Sequence, residues 1–215
     1  MSLAFGTPQI DGAHAEYVRV PEADGTLLHT PADIPDELLV MMSDIFPTGY
    51  YGAMRAIQNF GPPSTADGTA TEQAAGTFTA KLQPIDAAVF VCIGCGIVGL
   101  SAAATAVAKG VKTVFCVDSV EDRLEQARRL GGIPLRLGVD DIRGTVMKAT
   151  DGRGADAVVE SVGNKPALQS AYELLRPCGY ISSVGYHQTE LPFTGRDGYQ
   201  RNITYVPIPP CRALS

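Results

Sequence analysis

Long apolar runs are absent from this sequence of 215 residues, and so are runs of basic residues. No stretch reaches the roughly 18 apolar residues that a membrane-spanning helix needs. The net charge of −6 argues against nucleic acid or an anionic membrane as a partner. The N-terminus lacks the charged and apolar regions of a signal peptide. We therefore expect a cytoplasmic protein with neither membrane nor nucleic acid as partner.

Cysteine is scarce, and its five positions do not form a metal-binding pattern. The pair Cys92 and Cys95 has the Cys-x-x-Cys spacing, which could indicate redox chemistry or zinc. A structural zinc site needs a second pair of ligands, and the sequence contains no second Cys-x-x-Cys. Cys92 and Cys116 fall within predicted buried strands, and Cys95 falls in a turn. We expect all five cysteines to be reduced thiols.

The most informative stretch is an apolar run followed by three spaced glycines. The run Val89–Ile93 ends at Gly94, and Gly96 and Gly99 complete the spacing G-x-G-x-x-G before a helix of small residues. Gly94 permits a tight turn, Gly96 lets the backbone approach a pyrophosphate, and Gly99 lets the helix pack on the sheet. The N-terminus of that helix offers N–H groups and a positive dipole end to the phosphates.

An acidic residue in the right place strengthens this interpretation. A second apolar run, Thr113–Val117, ends in Asp118, 19 residues after Gly99, where such motifs place the acid that binds the adenosine ribose. The alternative is a strand–helix–strand unit that binds nothing. We favour a dinucleotide site.

The remaining pattern alternates strands and helices, as a doubly wound parallel (Rossmann) sheet requires. The composition, with 45% hydrophobic and 19% charged residues, suits an α/β protein of one full domain plus part of another. Strands are predicted over 88–93, 113–117, 135–137, 155–162, 180–184 and 203–206. Helices are predicted over 97–109, 120–130, 142–149 and 165–175, and Ser119 is expected to cap the second of these.

Upstream of the glycines the pattern is less regular. A short strand is predicted over Ala15–Val20, and since one strand cannot be stable alone, we expect the chain to begin inside a domain. Helices are predicted over Asp33–Ser43 and from the following run to about Asn59. Residues 60–83 are rich in Gly, Pro, Ser, Thr and Ala, which is typical of a mobile surface loop.

Together these stretches resemble the cofactor half of a zinc-type medium-chain alcohol dehydrogenase. The matching segments are Asp11–Pro21, Ser43–Tyr50, the glycine motif with Asp118 and Arg123, Asp151–Glu160, and Leu175–Gly185. The run Ser-Asp-Ile-Phe-Pro-Thr-Gly-Tyr is most similar to the glutathione-independent formaldehyde dehydrogenase-like subgroup.

The resemblance implies roles for particular residues. Asp44 falls where this subgroup has the third ligand of the catalytic zinc, and the catalytic-site residue Thr48 would pack against the nicotinamide ring. Ile97 and Val98 would line the pyrophosphate turn. Arg123 would flank the adenine ribose, and Val162 would lie along the cofactor.

The cofactor and substrate also follow from the resemblance. Asp118 favours NAD over NADP, because a 2′-phosphate would meet its carboxylate at close range. The substrate would be a small-molecule alcohol or aldehyde, bound at zinc and oxidised or reduced by hydride transfer. His14 and His29 are expected to be surface or hydrogen-bonded histidines rather than metal ligands, and His187, after the fifth predicted strand, is expected to be a bystander.

The sequence departs from the family at both ends, so we expect a truncated chain. Residues 1–32 would be a remnant of a GroES-like catalytic domain, 33–206 the NAD-binding Rossmann domain with 60–83 as a flexible insertion, and 207–215 a divergent tail. The other zinc ligands would be missing, although such sites need about three. Two hypotheses stay open for the function, namely an NAD-linked oxidoreductase or a catalytically silent NAD-binding module. In either case the resemblance implies a possible homodimer through the last strand, at the edge of the sheet.

Overall fold

A computed structural model of the chain describes residues 6, 8, 10–64 and 83–207. Within them, six strands form one parallel sheet in the order β3-β2-β1-β4-β5-β6. The strands are β1 Val89–Ile93, β2 Thr113–Asp118, β3 Ile133–Arg136, β4 Ala155–Glu160, β5 Leu175–Ser183 and β6 Thr204–Pro207. This is the strand order of the doubly wound α/β fold, so the predicted fold class is confirmed.

Helices connect the strands and cover both faces of the sheet. They are α1 Ala23–Thr26, α2 Asp36–Met42, α3 Ile45–Ile57, α4 Ile97–Ala108, α5 Glu121–Arg129, α6 Ile142–Ala149, α7 Lys165–Leu174 and α8 Gly195–Arg201, with a 3-10 turn at Ile85–Ala87. No helix in the described ranges is both long and apolar enough to cross a membrane.

The core lies on both sides of the central strands, because a parallel strand covered by helices buries both its faces. Every residue of β1 is buried. Phe90 and Cys92 point into the cluster under α3 and α4, whereas Val91 and Ile93 point into the cluster under α6 and α7. This alternation explains why β1 is apolar at every position.

Helix α3 lies against α4 at a contact that only small residues permit. A Cβ atom on Gly49 would lie 2.4 Å from the carbonyl oxygen of Val98, and one on Gly52 would lie 2.7 Å from a methyl group of Val184. The two glycines therefore bring the N-terminal part of α3 beside the first turn of α4 and the end of β5. This contact places the Ser43–Tyr50 segment next to the glycine motif.

Several predictions are wrong for the residues before the glycine motif and for the ends of helices and strands. Ala15–Val20 is not a strand, and its Tyr17 and Val18 are exposed. No neighbouring strand in the described residues pairs with it, and an isolated strand cannot satisfy its backbone. Ser119 is not the cap of α5, because Val120 holds that position. Helix α8 was not predicted, and β5 begins five residues earlier than expected, at Leu175.

Two predicted segments fall largely outside the described residues. Of the insertion 60–83, the structure describes 60–64 and 83, where the N–H of Gly61 donates to the carbonyl oxygen of Gln83 at 2.9 Å and so joins its two ends. Of the tail 207–215, it describes Pro207, the last residue of β6.

Candidate functional site

A cleft of about 590 Å³ opens at the carboxyl ends of β1, β2 and β4. Doubly wound sheets bind ligands at this place, where the strand order reverses between β1 and β4. Five of the residues predicted from the sequence line it, namely Gly94, Gly96, Asp118, Arg123 and Val162. The structure therefore brings these five residues together around one cleft, whereas Asp44 and Thr48 do not line it.

The three glycines of the motif differ in what they require. Gly94 has a φ of +90°, a conformation that favours glycine. A Cβ on Gly99 would lie 1.8 Å from the carbonyl oxygen of Gly94 and 2.7 Å from Ser161 Oγ, so this glycine is needed for packing. A Cβ on Gly96 would meet no atom within 4 Å. The open space beside Gly96 would let a bound ligand approach the backbone closely.

Helix α4 begins directly after Gly96 and points its N-terminus at the cleft. The N–H of Leu100 donates to the carbonyl oxygen of Gly96 at 2.8 Å, which closes the first turn. The N–H groups of Ile97, Val98 and Gly99 lie within that first turn and have no acceptor within an α-helix. Ile97 is 52% exposed. This end of α4 suits an anionic group such as a pyrophosphate.

Asp118 connects the glycine turn to β2. Its Oδ2 accepts a hydrogen bond from the N–H of Cys95 at 2.7 Å, and its Oδ1 accepts one from the N–H of Val120 at 2.9 Å. Burial by itself raises the pKa of this carboxyl, but those hydrogen bonds and Arg123 outweigh burial, and the pKa lies below its ordinary value. Arg123 Nη1 lies 3.6 Å from Oδ2. A carboxylate has about four acceptor sites, so Asp118 retains capacity for a ribose.

Asp44 and Thr48 contact each other at the start of α3. The Thr48 hydroxyl donates to Asp44 Oδ1 at 2.9 Å, and Asp44 is exposed. Thr48 precedes Gly49, whose contact with Val98 fixes it beside the first turn of α4. Within residues 10–64 and 83–207 no group of three His, Cys, Asp or Glu side chains could hold a metal ion. These residues alone therefore do not fit a catalytic zinc site, which takes three protein ligands.

A buried cluster beside the cleft was missed from the sequence. Glu160, at the end of β4, has no exposed surface, and its Oε2 accepts the Ser183 hydroxyl at 3.0 Å and lies 2.7 Å from His187 Nε2. His187 is thus part of a hydrogen-bonded cluster. An acid that ends an apolar strand, as in Val-Val-Glu, is the one sequence signal that could have indicated it.

Three of the cysteines lie in the core or under the glycine turn. Cys92, Cys95 and Cys116 are buried free thiols, and Cys178 is an exposed one. Burial raises the pKa of the Cys92 thiol well above its ordinary value, so this thiol is protonated and unreactive. Cys211 lies outside the described residues.

Comparison with known proteins agrees with this geometry. Residues 98–208 match the domain family described as zinc-binding dehydrogenase. The chain is 44% identical over 198 residues to the medium chain reductase/dehydrogenase ucsI of an Acremonium species, covering 91% of this chain and 61% of that protein. It is 42% identical over 204 residues to zinc-type alcohol dehydrogenase B of Aspergillus flavus, covering 94% of this chain and 43% of that protein.

Among solved structures, the alcohol dehydrogenase TADH from Thermus sp. ATN1 superimposes with a TM-score of 0.72 at 28% identity. The match covers 92% of this chain and 50% of that one. The chain thus spans 43% to 61% of the length of the two curated relatives and half of the solved enzyme.

Proposed function

We propose that this chain, which belongs to the zinc-binding dehydrogenase family and is similar to a zinc-type alcohol dehydrogenase, binds NAD as part of an oxidoreductase acting on small alcohols or aldehydes. The observation that carries the proposal is the cleft in which the glycine turn, the N-terminus of α4 and Asp118 meet. The nicotinamide of the bound cofactor would supply the hydride chemistry. Membership of the formaldehyde dehydrogenase-like subgroup stays a prediction.

Each predicted site residue except Asp44 has a place in this proposal. The N–H groups of Ile97, Val98 and Gly99 would hold the pyrophosphate, with Gly94 shaping the turn and Gly96 leaving room for close approach. Asp118 would accept hydrogen bonds from the adenosine ribose, and Arg123 would flank that ribose. Val162 would line the cofactor, and Thr48 would pack against the nicotinamide ring.

NAD is preferred to NADP because of the charge at the ribose position. The Asp118 carboxylate lines the cleft, and its lowered pKa keeps it ionised at neutral pH. A 2′-phosphate would bring a second negative charge close to it, which is unfavourable in a partly buried site. Arg123 offsets part of this repulsion, but it is already 3.6 Å from the same carboxylate.

A catalytically silent NAD-binding module is the second candidate. It is favoured by the lack of any three-ligand metal group within the described ranges, where Asp44 offers one exposed carboxylate. Two measurements separate the candidates, namely the zinc content of the purified chain and its alcohol-dependent production of NADH. About one equivalent of zinc with turnover supports the oxidoreductase. NADH binding without bound zinc and without turnover supports the catalytically silent module.

Fluorescence titration of the purified chain with NADH tests the shared part of both candidates. The wild-type chain should show saturable binding, and Gly96→Ala should abolish it, because the new Cβ would occupy the space that the pyrophosphate needs. Gly195→Ala is the matched control, since a Cβ there also meets no atom within 4 Å but lies at the start of α8, away from the cleft. No binding by the folded wild-type chain would contradict the proposal.

A further inference from the structure

The two loops that follow β4 and β5 are tied together by one buried residue. Glu160 Oε1 accepts hydrogen bonds from the N–H groups of Val162 at 2.8 Å and Gly163 at 2.7 Å. Its carbonyl oxygen accepts from the N–H groups of Val184 at 2.8 Å and Gly185 at 3.1 Å. Four backbone donors from two loops therefore converge on Glu160.

The second oxygen of the same carboxylate holds two side chains from the β5 side. Glu160 and Ser183 face each other in the β4–β5 register, which places the Ser183 hydroxyl 3.0 Å from Oε2. His187 Nε2 lies 2.7 Å from Oε2 and 3.0 Å from Ser183 Oγ, with 12% of its side chain exposed. A buried carboxylate is stable only when its oxygens are paired in this way. We call Glu160, Ser183 and His187 the clamp.

The loop held by the clamp also forms a wall of the cleft. Ser161 Oγ donates to the carbonyl oxygen of Gly94 at 2.9 Å, so the loop begins against the glycine turn. Val162 lines the cleft. Gly163 packs against Gly185, since a Cβ on Gly185 would lie 2.2 Å from the Gly163 nitrogen. The loop thus connects the proposed pyrophosphate site with the clamp in three consecutive residues.

We propose that the clamp positions the loops 161–163 and 184–187 for the nicotinamide half of the cofactor. This inference rests on the proposed function. A doubly wound sheet binds the two mononucleotides on its two halves, and Asp118 assigns the β1–β2 half to adenosine. The β4–β5 half then receives the nicotinamide end, and its loops are the ones that Glu160 and His187 hold. His187 is a positioning residue, because it contacts Glu160 and Glu160 in turn holds the backbone of both loops.

The experiment compares NADH with ADP-ribose, which lacks only the nicotinamide ring. Affinities of both ligands are measured by calorimetry for the wild-type chain, His187→Leu and His187→Gln. Loss of the imidazole should weaken NADH binding by about tenfold, the effect of losing one hydrogen bond to a buried charge. ADP-ribose binding should stay within about twofold of wild type. His187→Gln keeps an amide donor and should recover part of the NADH affinity.

Two further variants make the result specific. His29→Leu removes an exposed histidine and should change neither affinity. Ser183→Ala removes the other side-chain partner of Glu160 Oε2 with a small change in volume, and should reproduce the selective loss of NADH affinity. If His187→Leu does not fold, the comparison of NADH with ADP-ribose is made with Ser183→Ala instead.

The outcomes separate this inference from the proposed function. Equal weakening of both ligands would mean that the cluster only supports the fold, and unchanged affinity for both would mean that it positions nothing. Either result overturns the inference and leaves the proposed NAD site intact. If the wild-type chain bound neither ligand, the proposed function would fall, and the inference with it.

Discussion

Asp118 has two tasks at the scale of a single residue. Its hydrogen bonds to the N–H groups of Cys95 and Val120 hold the glycine turn against β2. Its remaining acceptor capacity and its charge make it the proposed ribose ligand. The two tasks are compatible because the structural bonds come from backbone donors that also keep the carboxyl ionised.

Asp118→Asn should shift the cofactor preference. The amide can still bond to a ribose hydroxyl, but it removes the negative charge that a 2′-phosphate would meet. We expect the ratio of NADH affinity to NADPH affinity to fall by about tenfold, as charge-assisted hydrogen bonds are roughly twice as strong as neutral ones. Fluorescence titration with both cofactors measures the ratio. Asp122→Asn makes the same charge change on the exposed side of α5 and should leave the ratio unchanged.

Asp118 should also contribute to the pH dependence of stability. A carboxyl whose pKa is lower in the folded state stabilises the fold above its unfolded pKa of about 3.9, and this contribution is lost as the pH falls through the folded pKa. Urea unfolding of wild type and Asp118→Asn should therefore show a constant stability difference from about pH 5 to 8 that shrinks below about pH 4. A difference that already shrinks between neutral pH and about pH 5 would contradict this.

At the scale of elements, the strand–turn–helix unit depends on Gly99 for its packing. Alanine is the better helix former by about 1 kcal/mol, so propensity alone favours Gly99→Ala. The contact at 1.8 Å with the Gly94 carbonyl oxygen opposes it, because neither backbone can move without displacing β1 or α4.

Overpacking of this kind costs typically about 1–3 kcal/mol, and we expect Gly99→Ala to lower the free energy of unfolding by at least that much. Chemical denaturation measures the change. Gly96→Ala is the control, since its Cβ meets open space and should leave stability within about 0.5 kcal/mol of wild type. Equal stability of the two variants would show that Gly99 is not a packing residue.

Arg201 joins helix α8 to the neighbouring elements. Arg201 donates hydrogen bonds to the carbonyl oxygens of Tyr172, at 2.7 Å, and Leu175, and its guanidinium lies 4.6 Å from the centre of the Tyr172 ring. These contacts join α8 to the end of α7 and the start of β5.

Arg201→Met should therefore lower the free energy of unfolding by about 1–3 kcal/mol, since carbonyl acceptors lose a charged donor and the ring loses its cation. Thermal and urea unfolding report the loss. Arg196→Met removes the same charge from the first turn of α8 and should have little effect on stability. A similar loss in both variants would indicate a general charge effect.

The elements show where sequence reasoning worked and where it did not. Strand β1 was predictable because burial on both faces makes it apolar throughout, and Asp118 because the motif fixes its spacing. Helix α8 has no buried residue and so no apolar period, although Thr194 and Asp197 form a capping box that the sequence displays. The contact of Glu160 with His187 depends on the β4–β5 register and on the course of the loop after β5, which no local pattern encodes.

At the scale of the whole molecule, the two ends of the sheet differ as surfaces for pairing. An edge strand presents unpaired N–H and C=O groups that can bind another strand. Edge strand β3 has Pro134 in its middle, which removes a donor, whereas β6 has a proline only at its last residue, Pro207. The β6 edge is therefore the better candidate for the predicted homodimer.

We expect the purified chain to dimerise through β6, and sedimentation velocity at increasing protein concentration measures this. Thr204→Lys should keep the chain monomeric, because Thr204 is exposed on β6 and a charged side chain on an edge strand disfavours pairing with another strand. Ile133→Lys adds the same charge to the exposed start of β3 and should dimerise like wild type. A wild-type chain that stays monomeric, or a dimer equally sensitive to both variants, would mean that β6 is not the interface.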